Sequence, residues 1–477
     1  MKKLLILIVF AVLLSATNLF AECTTYVSGI IVNEIWTLEG SPYCVEGDIL
    51  VAGLTIEPGV RVEFIGNYVF EVAGTLTAIG TEDNEIVFTA QETNEDGWQG
   101  IFFNYSSPGS ELAYCTIENS INSGIRTKNI TLIIKNCTIT NNFGTQGAGI
   151  YANGGEIILM SCTIEGNSVS VTIDKGVANG GGIYISGDLT LINSTVSKNF
   201  TSAYYHSTKV YDRWTYSNGG GIYVSGNLTL TNSIICENYA YSYAYSKYGT
   251  SYADSRGGGI YFDGTSLNAT NSIISDNSVI ATAERPTKKG GGIYLHSGTA
   301  SFTNCTIAYN ENQGLRNEGG TATAMNCIFW KNSSTQISGT TTVTYSDVED
   351  GYPGEGNICS NPILNVCLQI FPFSPCIDRG NPDCQYNDAC LPPSLEGVRN
   401  DMGAHGGPGA CEWIYCDGDF DCDVDIDGSD LAVFAADFGR TDCDDDCEGD
   451  FDNDGDVDGS DLAVFATNFG QTDCCPK

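Results

Sequence analysis

Alternating aspartates near the end of the chain have the spacing of a calcium-binding loop. The stretch GDFDNDGDVDGSDLAVFATNFG runs from Gly449 to Gly470, and a close copy, GDFDCDVDIDGSDLAVFAADFG, runs from Gly418 to Gly439. Calcium takes roughly six to eight oxygen ligands, which one short loop supplies when carboxylates alternate around a glycine turn. The second copy therefore predicts a calcium site with its turn at Gly455 and with the ligands Asp450, Asp452, Asp454, Asp456, Asp458 and Asp461.

The first copy offers the same oxygen ligands but lacks the glycine. Val424 stands where the loop needs a sharp turn, which a residue with a side chain makes only under strain. We therefore expect weaker calcium binding in the first copy. Its predicted ligands are Asp419, Asp421, Asp423, Asp425, Asp427 and Asp430.

Each acidic loop is followed by the pattern of a short helix. Apolar residues recur at positions i, i+3, i+4 and i+7, and a glycine, Gly439 or Gly470, stands at the predicted end. This pattern predicts two helices with one apolar face each. The faces comprise Leu431, Phe434, Ala435 and Phe438 in the first copy and Leu462, Phe465, Ala466 and Phe469 in the second.

A calcium loop followed by one helix, duplicated and with aspartate at position 12, resembles a type I dockerin more than a two-helix EF-hand. Dockerins bind cohesin modules of a scaffold through residues just before position 12, which here are Gly428-Ser429 and Gly459-Ser460. Two features depart from the family. The copies are offset by 450 − 419 = 31 residues, with the insert RTDCDDDCEG between them, and Gly-Ser replaces a frequent Ser-Thr pair. The resemblance implies calcium as cofactor and a cohesin-like scaffold protein as partner.

Acidic residues dominate the chain and are concentrated in this tail. The formal net charge is −37, and residues 411–477 hold 2 basic and 21 acidic residues, so 2 − 21 = −19 arises there. Such a field repels nucleic acid and anionic membrane surfaces and attracts multivalent cations. The composition therefore argues against a nucleic-acid partner.

The chain opens with MKKLLILIVFAVLLSATNLFA, in which two lysines precede an apolar run and a small residue, Ala21. This pattern is typical of a secretory signal peptide. No second apolar run is long enough to cross a bilayer, so no membrane insertion is expected. We therefore expect a secreted protein, extracellular or associated with the cell surface.

Cysteines crowd the Gly/Pro/Asp-rich sequence near the C-terminus. An exported protein is expected to form disulfides there, with a connectivity that the sequence does not give. A zinc site at Cys443 and Cys447 is the alternative. The cysteines concerned are Cys359, Cys367, Cys376, Cys384, Cys390, Cys411, Cys416, Cys422, Cys443, Cys447, Cys474 and Cys475.

The middle of the chain is a repeat built around GGGIY or the related GAGIY. Within each unit, three short alternating runs of apolar and polar residues are separated by turns, which predicts three strands per coil of a solenoid. Stacking of the coils aligns one column of small residues and one of asparagines that bond backbone groups along the stack. The predicted columns are Cys137, Cys162, Ser194, Ser233, Ser272, Cys305 and Cys327, and Asn142, Asn167, Asn199, Asn238, Asn277, Asn310 and Asn332.

The GGGIY units and their downstream N-C/S-T/I-I-x-x-N resemble the right-handed parallel β-helix repeats of the pectate-lyase-like superfold. They are also similar to repeats of polymorphic surface proteins and autotransporter-like passengers. The resemblance implies an all-β right-handed parallel β-helix solenoid followed by a small α calcium-binding dockerin-like domain. We expect a signal peptide (1–21), opening coils (22–96), β-helix repeats (97–334), a Cys-rich closing segment (335–410) and the dockerin-like tandem calcium-loop domain (411–477).

Successive repeat units differ in length at one place, between the last asparagine of a unit and the next glycine run. The variable loops should line one edge of the solenoid, which is the predicted binding surface. Aromatic rings with polar tips suit sugar rings, and a second interpretation is that these rings pack against each other or form edge hairpins. The predicted ligand-binding residues are Tyr204, Tyr205, Tyr211, Trp214, Tyr216, Tyr243, Tyr245 and Tyr248.

The sequence shows no clear catalytic constellation. By resemblance, lyases of this superfold use calcium-binding aspartates and a basic residue, whereas the hydrolases use clustered aspartates. The variable loops carry basic candidates in Arg213, Arg256 and Lys289, but paired carboxylates do not recur on a coil face. His206 and the two other histidines form no sequence cluster.

Three functions stand as hypotheses. The first is an exported carbohydrate- or surface-binding β-helix whose calcium-binding tail attaches it to a scaffold or cell surface. The second is a polysaccharide lyase or hydrolase acting on an acidic polysaccharide. The third is a self-associating, adhesin-like surface solenoid in which the tyrosine-rich loops mediate assembly.

Overall fold

The computed structural model describes residues 23–104, 109–173, 176–208, 212–371, 373–390, 393–395, 397–412, 418, 420, 426–441, 443, 447, 449–451 and 455–470. The predicted signal peptide lies outside these residues. So do Tyr211, Cys416, Cys422, Cys474, Cys475, Asp419, Asp421, Asp423, Val424, Asp425, Asp452 and Asp454. Within the described ranges, no helix is long and apolar enough to span a membrane.

Strands dominate the described chain from Thr25 to Val348. The first strands are β1 (Thr25–Trp36), β2 (Tyr43–Ile56), β3 (Arg61–Phe64), β4 (Phe70–Ile79), β5 (Ile86–Ala90), β6 (Ile101–Asn104), β7 (Glu111–Ala113), β8 (Cys115–Glu118), β9 (Ile125–Lys135), β10 (Thr138–Thr140), β11 (Phe143–Gly144), β12 (Ile150–Met160) and β13 (Thr163–Glu165). The next are β14 (Ser168–Val171), β15 (Gly176–Asn179), β16 (Ile183–Ile185), β17 (Asp188–Ile192), β18 (Thr195–Ser197), β19 (Phe200–Ser207), β20 (Arg213–Asn218), β21 (Ile222–Val224), β22 (Leu228–Thr231), β23 (Ile234–Cys236), β24 (Tyr239–Ser246) and β25 (Ser251–Arg256).

The last strands and the helices complete the element order. The remaining strands are β26 (Ile260–Phe262), β27 (Ser266–Thr270), β28 (Ile273–Ser275), β29 (Ser278–Thr282), β30 (Arg285–Lys289), β31 (Ile293–Leu295), β32 (Thr299–Thr303), β33 (Thr306–Ala308), β34 (Leu315–Asn317), β35 (Thr321–Met325), β36 (Ile328–Trp330), β37 (Ile337–Ser338), β38 (Thr341–Thr344) and β39 (Asp347–Val348). The α-helices are α1 (Gly428–Asp437) and α2 (Gly459–Asn468), and short 3-10 turns span Leu38–Gly40, Cys384–Tyr386 and Ala410–Glu412.

Each repeat contributes three strands to three parallel ladders, as the sequence predicts. The GGGIY strands pair in the order β12, β16, β21, β26, β31 and β34. A second ladder joins β12, β17, β22, β27, β32, β35 and β38, and a third joins β8, β10, β13, β18, β23, β28, β33, β36 and β39. Inward-pointing Ile, Leu, Val and Phe side chains of the three ladders form one continuous core.

The asparagine column is confirmed and connects the coils through buried side chains. Asn199 donates to Oδ1 of Asn238 from both its backbone amide and its Nδ2, each at 3.0 Å. Its Nδ2 also donates to the carbonyl of Ile164 at 2.8 Å. The same pair of bonds to the next Oδ1 repeats from Asn142 to Asn332. Buried turns are thus satisfied by a side chain from the adjacent coil.

The column of small residues is also confirmed. Oγ of Ser194 accepts from the backbone amide of Cys162 at 3.1 Å, and Oγ of Ser233 accepts from that of Ser194 at 3.2 Å. The cysteines of this column are buried free thiols, as expected for residues that act as small apolar side chains. Burial raises the pKa of Cys162 to about 12, which keeps the thiol protonated.

The segment after the last coil covers one corner of the solenoid. Nδ2 of Asn271 donates to the carbonyl of Ala404 at 2.8 Å, and Nδ2 of Asn304 donates to that of Asp401 at 3.0 Å. The amide of Gly403 donates to the carbonyl of Asn326 at 2.9 Å. The closing segment therefore binds the coils along a second set of asparagines.

The variable segments are strands rather than loops, which corrects one expectation. Each passes outwards and returns, and neighbouring segments stack in parallel into two small sheets beside the solenoid. One sheet has the order β11-β14-β19-β24-β29 and the other the order β15-β20-β25-β30. We call this two-sheet projection the fin. The two arms of each segment lie in different sheets and pair only with the arms of adjacent segments, so the alternative of edge hairpins is wrong.

The cysteines only partly follow the predicted pattern. Disulfides join Cys23 to Cys44, Cys390 to Cys411 and Cys443 to Cys447, and Cys367 is also disulfide-bonded. The zinc alternative for Cys443 and Cys447 is therefore wrong. Three cysteines expected in disulfides are free, namely Cys359, Cys376 and Cys384. Disulfides are compatible with an extracellular protein.

Candidate functional site

Small side chains fill the space between the two sheets of the fin. Alternate residues of β19 and β24, among them Ala203 and Ala244, are buried against β20 and β25. Hydroxyl groups bridge the sheets: Oγ of Ser217 donates to the carbonyl of Thr201 at 3.1 Å, and Oγ of Ser242 donates to that of Asp254 at 2.8 Å. Because most of these side chains are short, the sheets pack closely and most of the large rings lie on the outer faces.

The outward aromatic rings stack on their counterparts in the neighbouring coil. Ring centroids lie 4.7 Å apart for Tyr204 and Tyr243 and 4.5 Å apart for His206 and Tyr245. Trp214 and Tyr252 stack at 5.3 Å on the other sheet. Much of the ring area therefore stabilises the fin itself, as the packing interpretation of the tyrosines predicts.

The two central units of the fin extend beyond their neighbours and leave ring faces uncovered. β19 and β24 have 8 residues each, whereas β14 has 4 and β29 has 5. Among described residues, Tyr204–Ser207 of β19 have no partner in the preceding strand β14. Ala244–Ser246 of β24 likewise have no partner in the following strand β29. Tyr204 and Tyr245 are 41% and 40% exposed. Each of these rings thus stacks on one face and is open to solvent on the other.

The other predicted ligand-binding residues have mixed environments. Arg213 lies over the half-buried ring of Tyr205, with its guanidinium carbon 5.3 Å from the centroid. Arg256 lies over Tyr216 in the same way at 5.7 Å. Tyr248 is 61% exposed at the turn after β24. The structure therefore brings Tyr204, Trp214, Tyr243, Tyr245 and Tyr248 to the outer part of the fin and leaves Tyr205 and Tyr216 beneath arginines.

The tyrosines of the GGGIY motif form a column that the sequence analysis did not single out. Their rings stack from Tyr151 through Tyr184, Tyr223 and Tyr261 to Tyr294 at centroid distances of 5.0–5.3 Å. Burial raises the pKa of Tyr261 to about 12. The recurrence of tyrosine after each GGGI was the signal that predicts this column.

The basic candidates are held in structural interactions rather than free to accept a proton. Arg213 is buried between the sheets of the fin. Burial lowers the pKa of Arg256, but its hydrogen bond with Asp254 and the charge of that carboxylate outweigh this, so the pKa is raised overall. Lys289 pairs with Glu318 at 3.1 Å. A lyase-like base must give up its proton, and the raised pKa of Arg256 opposes this.

The histidines do not combine into a site either. His206 stacks on Tyr245, and His296 stacks on Tyr294 at 6.0 Å. His405 is buried in the closing segment, and burial lowers its pKa to about 3. They therefore lie in separate places and do not form a catalytic cluster.

In the second acidic loop, three of the predicted calcium ligands lie close together. One ligand oxygen each from Asp456, Asp458 and Asp461 lies within 4.8 Å of the others. Asp450 of the same loop has a buried Oδ1 without a hydrogen-bond partner in the described chain. Gly455 has a φ of +95°, which shows why the turn favours glycine. Hydrogen bonds from the hydroxyl and amide of Ser460 lower the pKa of Asp458, which keeps that carboxylate ionised.

The two halves of the tail pack as a symmetric pair. The amide of Gly439 donates to the carbonyl of Val457, and that of Gly470 donates to the carbonyl of Ile426, each at 2.7 Å. Val457 and Ile426 are fully buried and pack with Phe434 and Phe465. The sequence analysis missed both aliphatic residues, although a single aliphatic residue at position 8 of each acidic loop was the available signal.

The helix faces differ from the predicted apolar stripe. Only Phe434 and Phe465 of the predicted set are buried, whereas the matching leucine, alanine and second phenylalanine of each helix are exposed. The two predicted helices are therefore present, but most of each predicted apolar face is exposed. The exposed residues are Leu431, Ala435 and Phe438 in α1 and Leu462, Ala466 and Phe469 in α2.

Comparison with known proteins identifies the solenoid. Residues 49–200 match a family model described as a right handed beta helix region. The chain contains a right-handed β-helix. Searches of curated proteins and of solved structures found no match for this chain. The β-helix continues in the same three ladders to β39, beyond the matched residues.

Proposed function

We propose that this β-helix protein is an exported carbohydrate-binding protein whose fin contacts the glycan and whose tail attaches it through calcium. The observation that carries the proposal is that β19 and β24 extend beyond β14 and β29 at the outer part of the fin. There the rings of Tyr204 and Tyr245 each have one stacked and one open face. An open ring face with a nearby hydroxyl matches the apolar face and polar rim of a sugar ring.

The rigidity of the fin supports binding to an extended glycan. The rings belong to strands paired in register, so their positions are set before a ligand arrives. A preformed surface avoids the entropic cost of ordering loops on binding. Polar groups adjoin the rings, since His206 stacks on Tyr245.

Replacing the open rings tests the proposal. The double variant Tyr204→Ala and Tyr245→Ala is expected to lose about 1–3 kcal/mol of stacking, which weakens binding roughly 5- to 150-fold. Affinity electrophoresis against a panel of acidic and neutral polysaccharides measures this. Tyr309→Ala is the matched control, because Tyr309 is 36% exposed but lies outside the fin.

The outcome separates the competing functions. Retention by no polysaccharide, or equal retention of the double variant and the wild type, would contradict glycan binding by the fin. Release of unsaturated products or reducing ends from the same polysaccharides would instead support the lyase or hydrolase hypothesis. Both readouts use the intact mature chain with calcium present.

We infer that the tail is a dockerin-like attachment module. The exposed apolar faces of α1 and α2 support this, because each helix presents Leu, Ala and Phe on its surface beside an exposed Gly-Ser pair. Repeated exposed apolar patches typify protein-binding sites. Leu431→Asp combined with Leu462→Asp is expected to reduce capture by cohesin-type modules at least roughly tenfold while calcium binding is retained. Unchanged capture, or no capture of the wild type, would contradict the assignment.

A further inference from the structure

The two open rings of the fin face in opposite directions along the β-helix. Tyr204 of β19 stacks on Tyr243 of the following strand β24, so its open face turns towards the preceding strand β14. Tyr245 of β24 stacks on His206 of the preceding strand β19, so its open face turns towards the following strand β29. The stacked rings are nearly parallel, with interplanar angles of 9° and 18°. The open faces therefore look away from each other across a ridge that is two rings thick.

Each open face lies beside the end of a shorter neighbouring strand. In its register with β19, β14 ends opposite Ala203, the residue before Tyr204. In its register with β24, β29 ends opposite Tyr243, two residues before Tyr245. The exposure of the two rings is almost equal, at 41% for Tyr204 and 40% for Tyr245. The ridge thus presents two similar ring faces, one on either side.

The surroundings of the two open faces are also alike. Ser170 of β14 lies opposite Ser202, and Thr282 of β29 lies opposite Tyr243. An exposed hydroxyl therefore occurs at the same offset from each open ring, two residues before it in the register. Serine and threonine hydroxyls donate and accept hydrogen bonds, as the hydroxyls of a sugar do. Each side combines an aromatic face with a polar group, as ligand-binding sites commonly do.

The outward positions of β19 and β24 carry no carboxylate, although the formal net charge of the chain is −37. A glycan that stacks on the ridge meets aromatic and hydroxyl groups of these two strands. Neutral and acidic polysaccharides are therefore both suitable probes. The outward residues are Phe200, Ser202, Tyr204 and His206 in β19 and Tyr239, Tyr241, Tyr243 and Tyr245 in β24.

We propose that the fin binds a separate glycan segment on each side of this ridge and thereby cross-links polysaccharide chains. The proposal rests on the glycan binding by the fin that is proposed above. A sugar ring stacks on one face of an aromatic ring, and a straight chain does not cover two faces that point away from each other. Two sites on one rigid body make the protein bivalent, so one molecule joins two chains or holds one long chain twice.

Light scattering from mixtures of the intact mature chain with long polysaccharides tests the proposal, with galactomannan as the neutral probe and polygalacturonate as the acidic probe. The wild type is expected to form a network with the polysaccharide that retains it, with a scattering maximum at an intermediate mixing ratio. Tyr204→Ala and Tyr245→Ala are each expected to be retained but to lose the scattering increase at least roughly tenfold, because each keeps one site. Tyr309→Ala is the control outside the fin and should behave as the wild type.

Calorimetric titration with a short oligosaccharide of the retained polysaccharide counts the sites without relying on a variant. We expect about two sites per chain in the wild type and about one in each single variant. A wild type with one site would overturn the proposal while leaving glycan binding by the fin intact. A single variant that binds as weakly as the double variant, or cross-linking that survives in both single variants, would also overturn it. Retention of the wild type by neither polysaccharide would overturn glycan binding and cross-linking together.

Discussion

Asn238→Ala is expected to lower the free energy of unfolding of the β-helix by about 3–5 kcal/mol, because it leaves several buried polar groups without partners. Oδ1 of Asn238 accepts two bonds from Asn199, and its Nδ2 donates to the carbonyl of Val196 at 2.8 Å. The side chain is fully buried, so water does not replace these bonds. Orphaned buried groups cost roughly 1–3 kcal/mol each.

Asn268→Ala is the matched control for this substitution. Asn268 lies in a neighbouring coil but is exposed, and its side chain bonds only locally, to Ser266 at 3.2 Å. Its replacement is expected to change stability by no more than about 0.5 kcal/mol. Denaturant unfolding measures the difference, and hydrogen exchange at the Asn199 amide localises it. Equal stability of the two variants would show that the asparagine column does not hold the coils together.

Asn238→Asp separates the acceptor from the donor role of this residue. The variant keeps an oxygen for Asn199 but loses the Nδ2 donor and buries a carboxylate. Burial raises the folded-state pKa of that carboxyl above its unfolded value. The variant is therefore expected to be least stable at neutral pH and to recover as the pH falls through its folded pKa, because the native state binds the proton more tightly. A pH-independent deficit would argue against a buried charge at this position.

The regular parts of the β-helix were predictable because each coil repeats the same requirement. Asn199 and Asn238 occupy equivalent places in units of different length, which points to a turn that needs a side-chain amide rather than to a chance asparagine. Ser194 and Cys162 likewise share a column in which only a small side chain fits. Repetition thus converts weak local preferences into a strong pattern.

The fin was not predictable as strands, since its stability comes from pairing between segments distant in sequence. Thr201, Ala203 and Ser217 have no apolar periodicity that marks a core. They form one only when stacking in register brings two sheets close enough for short side chains to touch. The ring faces open at Tyr204 and Tyr245 depend in turn on the short lengths of β14 and β29, which local sequence does not reveal.

In the tail, the sequence predicted the helices but not which of their residues are buried. The helical pattern gave Phe434 and Leu431 equal weight, whereas the structure buries the phenylalanine and exposes the leucine. The difference arises because the opposing half contributes Val457 and Phe465 at only one side of α1. The half of the tail that packs against a short helix decides which side of that helix is buried. The sequence showed the second half as a copy of the first, but it did not show how the two halves pack.

Chelation of calcium is expected to unfold residues 411–477 while the β-helix stays folded. The tail has a small core, of which Ile426, Phe434, Val457 and Phe465 are the fully or nearly fully buried members. It also carries 21 acidic against 2 basic residues, whose mutual repulsion opposes compaction. Metal binding to such a module supplies folding free energy, whereas the solenoid has its own core.

Limited proteolysis with and without a calcium-selective chelator measures this, with magnesium as the control ion. We expect cleavage confined to the tail on chelation and protection restored by calcium but not by magnesium, which demands a smaller octahedral site. The helical signal of α1 and α2 should disappear together, because each half packs on the other. A tail that stays protected in chelator would contradict a calcium-ordered module.

The two loops should differ in affinity, and the difference tests the role of the glycine turn. Gly455 has a φ of +95°, and Val424 occupies the equivalent place in the first loop. A left-handed conformation costs a residue with a side chain roughly 1–2 kcal/mol, which corresponds to about tenfold in affinity. Asp450→Ala plus Asp461→Ala should therefore reduce calcium affinity, measured by titration calorimetry, more than Asp419→Ala plus Asp430→Ala. The reverse order would show that the first loop binds more tightly despite its valine, and Val424→Gly would then leave its affinity unchanged instead of raising it.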